Sequence, residues 1–177
     1  MMESMKQLTE LDLAVFQLRM GFGHADSCVD WAVERMRRDE EGDDLEVVLL
    51  ASARGRDEVL PLAEAIIERY RGAQRLADQF LAGKYILELH AAYLAGRESV
   101  SSLDAIFTRL YPALDYPDWL VMLSRNCEYA TDVADFEQPF EDEFRYIAGL
   151  WAQADSLAGF ERAYSRETSK QHDATGV

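Results

Sequence analysis

Carboxylates and aromatic rings crowd one stretch of this sequence, and their spacing decides what chemistry they could do. Between Leu110 and Phe144 stand nine acidic residues: Asp115, Asp118, Glu128, Asp132, Asp135, Glu137, Glu141, Asp142 and Glu143. They face one basic residue, Arg125, so this segment carries −8 of the chain's net charge of −15. Tyr111, Tyr116, Trp119, Tyr129, Phe136, Phe140 and Phe144 lie among them. Two carboxylates divide general-acid and general-base work only where partial burial pushes their pKa values apart. Asp115 and Asp118 flank a proline turn. Asp142 and Glu143 fall at an expected helix start, where the helix dipole favours acids for structural reasons alone. All nine read as solvated, so no catalytic residue is assigned among them.

The remaining reactive side chains lack the spacing of a site. His24 sits between a glycine turn and a helix start, His90 on an apolar helix face, and His172 near the C-terminus. No His-x3-His, Glu-x-x-His or His-Glu-x-x-His spacing puts metal ligands on one helix face, so no metal and no cofactor is expected. Cys28 and Cys127 are far apart in the chain and match neither a redox pair nor a zinc set; they read as buried free thiols of a reducing, cytoplasmic protein. Gly21-Phe22-Gly23 lacks the further glycine and the preceding strand of a phosphate-cradling loop, and no Gly-x-Ser-x-Gly elbow occurs.

Binding is the better use of the acidic stretch. A rim of carboxylates speeds encounter with a cationic partner, and aromatic anchors inside the rim supply desolvated contact that slows release. The candidate binding residues are Asp115, Tyr116, Asp118, Trp119, Glu128, Asp132, Asp135, Glu137, Glu141, Asp142 and Glu143. Tyr116 and Trp119, beside the proline turn, are the aromatics expected to be partly exposed. The expected partner is a basic protein. Nucleic acid and acidic membrane surfaces are excluded as partners by like charge and by the lack of a Lys/Arg cluster; Arg35, Arg37 and Arg38 read instead as a helix end followed by acids.

The elements that must position these residues are helical. Leu8, Leu11, Val15 and Leu18 recur at spacings of three and four, which predicts a helix over 4–20. Cys28, Trp31, Ala32, Arg35 and Met36 stripe a second, to about Arg38. Leu45 to Ala53 predicts a short buried helix in preference to a short strand over 46–50, with Asp43 or Asp44 as the helix cap. Asp57 opens a helix closed by Gly72. Residues 73–95 form two helices or one bent at Gly83. Ser101 or Ser102 caps a helix to about Leu110, and Tyr116, preceding Pro117, is expected to be extended. Helices follow over 118–129 and, after an acidic connector from Asp132 to Pro139, over 140–162. Residues 166–177 are expected to be a disordered tail.

With 177 residues, 49% hydrophobic and 29% charged, four prolines and ten glycines, the chain reads as all-α. The expectation is a single domain over 1–165, an antiparallel helical bundle or irregular helix-pair array of seven to nine helices. No apolar run is long enough to span a bilayer.

The stretch Ile106-Phe107-Thr108-Arg109-Leu110-Tyr111-Pro112-Ala113-Leu114-Asp115-Tyr116-Pro117-Asp118-Trp119-Leu120, followed by the helix around Phe144 to Trp151, resembles a family of small, acidic, α-helical bacterial proteins of unassigned function. Leu114-Asp115-Tyr116-Pro117 would fill the place of that family's helix-linking turn. In size, acidity and helical content the chain also resembles the immunity proteins that protect bacteria from toxins. That second resemblance implies an inhibitor that occludes a basic toxin domain, often a nuclease, with carboxylates standing in for phosphate oxygens. The alternatives are a generic interaction or scaffold module, homodimeric in one form, and an enzyme with clustered carboxylates. The oligomeric state is not legible in the sequence.

Overall fold

Helical periodicity governs the fold. The computed structural model describes the backbone of residues 2–174 and the side chains of residues 8–167. Among the described residues it holds α1 (Met2–Met20), α2 (Ala25–Arg37), α3 (Leu45–Ser52), α4 (Gly55–Arg71), α5 (Asp78–Leu94), α6 (Val100–Ala113), α7 (Asp118–Asp132), α8 (Glu137–Gln153) and α9 (Leu157–Ala174). Two 3-10 turns, Gly72–Gln74 and Ala134–Phe136, complete the order, and no strand occurs among these residues. The fold is all-α. Backbone packing groups residues 1–77 and 78–177 into two compact units. The junction falls at residues 75–77, outside any helix and free of glycine and proline.

In the first unit α1 packs on α2 and α4, and α3 packs on α2 and α4. Leu11, Val15 and Leu18 meet Cys28, Trp31 and Ala32, and Val47, Leu50, Val59, Ala63 and Ile66 fill the space between them. The short helix α3 is only half buried, contrary to the expectation. Val47 and Leu50 face inward, whereas Leu45, Val48 and Leu49 are exposed. A helix cannot bury both sides when its neighbours cover only one.

Ion pairs from Arg71 to Asp12 and from Arg69 to Asp44 and Glu46 pin α4. Arg71, the last residue of α4, donates from Nη2 and Nε to Asp12 Oδ2 of α1 at 2.6 and 2.9 Å. Both side chains are almost fully buried. Asp44 is the α3 cap anticipated in the sequence: its Oδ1 accepts the Glu46 N–H at 3.1 Å and Arg69 Nη1 at 2.7 Å, and its Oδ2 accepts the Tyr70 hydroxyl at 2.7 Å. Burial alone would raise the Asp44 carboxyl, but Tyr70, Arg69 and the nearby donors together hold it below its ordinary value of 3.8. A depressed folded value means that the carboxylate stabilises the fold above pH 3.8, and that this contribution is lost as pH falls through the folded pKa. We expect Asp44→Asn to cost about 2 kcal/mol near neutrality, the range for hydrogen bonds to a charged group. Acid titration followed by circular dichroism should show the wild type losing its advantage over the variant below that pH.

In the second unit α8 packs on α5, α7 and α9, and α6 packs on α7. Its core is aromatic: Phe80, Phe107, Trp119, Phe140, Phe144, Trp151 and Phe160 are all buried. Several sequence expectations change here. α5 runs unbroken through Gly83, because that glycine is buried under the Trp151 ring rather than marking a bend. The helix expected over 140–162 is two. α8 stops at Gln153, Lys84 Nζ donates to the Ala154 carbonyl at 3.0 Å, and the Ser156 hydroxyl accepts the Gly159 N–H to start α9. Helical backbone continues to Ala174, across much of the segment expected to be a disordered tail; side chains beyond residue 167 and the backbone beyond 174 lie outside the described residues. The acidic connector shrinks to Val133 and one 3-10 turn, so Glu137, Gln138 and Pro139 open α8.

Candidate functional site

The turn between α6 and α7 sets the geometry of the predicted surface. Asp115 and Tyr116 both have left-handed backbone, with φ of +61° and +56°. Tyr116 is therefore not extended, as its position before Pro117 suggests. The helix-ending hydrogen bonds decide this: the Asp115 N–H donates to the Pro112 carbonyl and the Tyr116 N–H to the Tyr111 carbonyl at 3.0 Å. Two consecutive left-handed non-glycine residues cost of order 1–2 kcal/mol each. In exchange, the Tyr116 ring stands outward at 60% exposure, edge-on to Tyr111 with centroids 5.1 Å apart.

This turn forms one wall of an open cleft of about 590 Å³, lined by Tyr116, Pro117, Asp118, Trp119, Gln79 of α5, and Phe160, Glu161, Tyr164 and Ser165 of α9. Its size falls within the span of about 300–1,000 Å³ that ligand pockets occupy. Trp119 corrects the expectation of an exposed anchor, since it is only 4% exposed. It lies on the inward face of α7 with Leu120, Leu123 and Cys127. It meets Trp151 and Phe160 edge-on, and its indole N–H donates to Gln79 Oε1 at 3.3 Å. Trp119 and Phe160 thus close the inner side of the cleft, while Tyr116 and Tyr164 are its accessible rings. The α9 spacing puts Phe160 with Tyr164, and Glu161 with Ser165, on adjoining strips of the helix. Arg162 follows Glu161 by about 100° around the helix, and Arg166 lies about 160° from Tyr164. None of the described lining residues is basic.

The field at this wall is negative. Burial raises the Tyr164 hydroxyl pKa, and Glu143 and Asp118 raise it further; the hydroxyl lies 3.4 Å from the Asp118 carbonyl, to which it donates. Tyr146 is raised in the same way, by burial first and then by Glu167, Tyr164 and Glu143. Glu143, expected to be solvated, is half-buried on α8, and burial pushes its carboxyl above the ordinary range.

The other predicted residues do not join this cleft. Glu128 and Asp132 are exposed on α7 and face Asp104 of α6, whose carboxyl is raised by burial and then by those two charges. Met122 and Tyr129 are exposed along the same helix, and Val133 is exposed just beyond its end. Asp135 is exposed in the 3-10 turn. Glu141 is half-buried on the opposite flank of α8 from Glu143 and accepts the Tyr93 hydroxyl at 2.9 Å, with Glu137 near the same hydroxyl at 3.5 Å. Asp142 points outward and pairs with Arg145. One charged stretch of sequence therefore serves three places, because a helix sends residues 141, 142 and 143 in directions about 100° apart.

Glu161, Tyr164 and Gln79 escaped the sequence analysis. They lie far from the acidic stretch in sequence, and the signal that could have found them is the Phe160-Glu161-x-x-Tyr164 spacing, hidden when α8 and α9 are read as one helix. His90 behaves as the edge histidine its face suggests. It is half-buried, its ring is edge-on to Phe144 at 4.8 Å, and burial and then Arg145 lower its pKa. Cys28 and Cys127 are free and buried, with thiols pushed up to about 11 and about 12. Among the described residues no group of three or more His, Cys, Asp or Glu could hold a metal ion, and no helix is long and apolar enough to cross a membrane. No family model matches the chain, and neither does any curated protein or solved structure.

Proposed function

We propose that this protein is a non-catalytic acidic binding protein, an immunity-type inhibitor that occludes a basic toxin domain. The observation that carries the reading is the cleft: two carboxylates and two accessible rings around an aromatic floor, with no basic residue among its described lining. Such a surface attracts a cationic partner at long range and offers it contact area at short range. The acids of α7 and the following turn, Glu128, Asp132 and Asp135, extend the attractive field without lining the cleft. The test is co-expression with the product of the gene directly upstream, measuring survival and then association with the purified partner. Asp118→Lys with Glu161→Lys should lower the association rate about ten-fold or more at low ionic strength, with the effect shrinking as salt rises. Survival that does not depend on this chain sinks the inhibitor reading.

A second reading, a homodimeric interaction module, is favoured by one feature of the first unit. α3 exposes Leu45 at 64%, Leu49 at 45% and Val48 at 39%. A mass that rises with concentration and reverts to the monomer in Leu45→Glu/Leu49→Glu would support it over the inhibitor reading.

A further inference from the structure

We infer that the cleft between the α6–α7 turn and α9 is a receptor for one arginine side chain of the protein partner, the guanidinium lying between Tyr116 and Tyr164 and held by Asp118 and Glu161. This rests on the reading of a basic protein partner and specifies what that partner must present.

Three features favour a planar cation. The accessible lining pairs rings with carboxylates: Tyr116 stands 60% exposed at the mouth, Tyr164 is part-exposed, and Asp118 and Glu161 are exposed acids on the lining from either wall. A guanidinium stacks on ring faces and bonds carboxylate oxygens in its own plane, which a compact ammonium does less well. The walls are also set in advance. Phe160 stacks on Trp151 with centroids 3.6 Å apart and ring planes 6° from parallel, and Tyr164 continues that stack 5.9 Å beyond at 10°. Tyr116 is held by its left-handed backbone and by Tyr111. Lastly, the ion pair that the described residues of this unit form, Asp142–Arg145, involves neither Asp118 nor Glu161.

The test uses the full chain, labelled with nitrogen-15, titrated at low salt with three blocked tripeptides. Their central residues are arginine, its neutral isostere citrulline, and lysine. The arginine peptide should give saturable shifts of the Trp119 indole and of the α6–α7 turn. Citrulline should bind about five-fold or more weakly, and lysine weaker than arginine. Asp118→Asn/Glu161→Gln should weaken arginine binding by about five-fold or more, whereas Asp132→Asn/Asp135→Asn, which removes the same charge away from the cleft, should change it by less than about two-fold. Equal loss in both double variants, equal binding of citrulline or of lysine, or no saturable shift overturns the assignment. The outcomes separate from those of the broader reading. A basic partner captured without any response to the arginine peptide leaves the inhibitor reading standing and removes this one. Peptide binding in a protein that captures no basic partner does the reverse.

Discussion

Replacing Arg71 by alanine should cost about 3–5 kcal/mol, the range for breaking one side of a buried ion pair. Asp12 and Arg71 are 4% and 6% exposed, and the two hydrogen bonds that Arg71 donates to Asp12 accompany the carboxylate into the interior. Without the guanidinium, Asp12 must stay charged without compensation or take up a proton. In the intact protein burial already raises the Asp12 carboxyl above its ordinary value, while Arg71 opposes the shift. Removing Arg71 therefore drives it higher. A carboxyl with a raised folded pKa contributes its stability below the unfolded pKa and loses it as pH rises through the folded value. The deficit of Arg71→Ala should be largest near neutrality and shrink on acidification, as protonation relieves the buried charge. Urea denaturation at several pH values measures this directly. A double variant, Asp12→Leu with Arg71→Met, removes both charges at similar volume and should fall within about 1 kcal/mol of wild type or exceed it, since buried pairs are often no better than packed apolar residues. A double variant as unstable as Arg71→Ala would falsify the claim that the single loss comes from the orphaned carboxylate.

Periodicity carried most of the fold, for a reason visible in particular helices. Leu8, Leu11, Val15 and Leu18 repeat on one face and are buried, and Asp44 precedes an apolar run and caps it. These are local facts, and the chain states them locally. The misreadings occur where a distant partner decides. Gly83 looks like a weak point of a helix until Trp151 is placed over it. Trp119 looks like an anchor beside an exposed turn until Trp151 and Phe160 claim its ring. α8 and α9 look continuous because Ala154 is a helix former, whereas in the fold Lys84 of α5 donates to the Ala154 carbonyl at the break. The candidate site was legible to the same degree. Tyr116 and Asp118 were found in the acidic stretch and lie in the cleft. Glu161 and Tyr164 come from another helix with ordinary composition, and only folding brings them to the same wall. Charge density along the chain located the region, but it did not foretell that Glu141 and Glu143 would leave α8 on opposite flanks.

Trp151→Ala should be the most damaging single change in the second unit, at about 3–5 kcal/mol, and it should reverse the effect of a second mutation. Trp151 has no exposed surface. Its ring stacks on Phe160, meets Trp119 and Phe80 edge-on at 5.2 and 6.2 Å, and covers Gly83 so closely that a Cβ there would sit 2.2 Å from Trp151 Cδ2. Gly83→Ala in the wild type must therefore push the indole or helix α5 aside, and should destabilise by about 1–3 kcal/mol as overpacking does. This is opposite to intrinsic preference, because alanine in a helix interior is favoured over glycine by about 1 kcal/mol. With Trp151 removed, the clash is gone and the preference remains, so Gly83→Ala should stabilise the Trp151→Ala protein by up to about 1 kcal/mol and fill part of the cavity. The double-mutant cycle then gives a coupling energy of about 1–4 kcal/mol with a change of sign, read from thermal or urea unfolding of four proteins. Additive effects would mean that the tryptophan does not lie over Gly83. The aromatic stack that floors the cleft through Phe160 and Trp119 would then lose its anchor, and the walls assigned to the arginine receptor would lose it too.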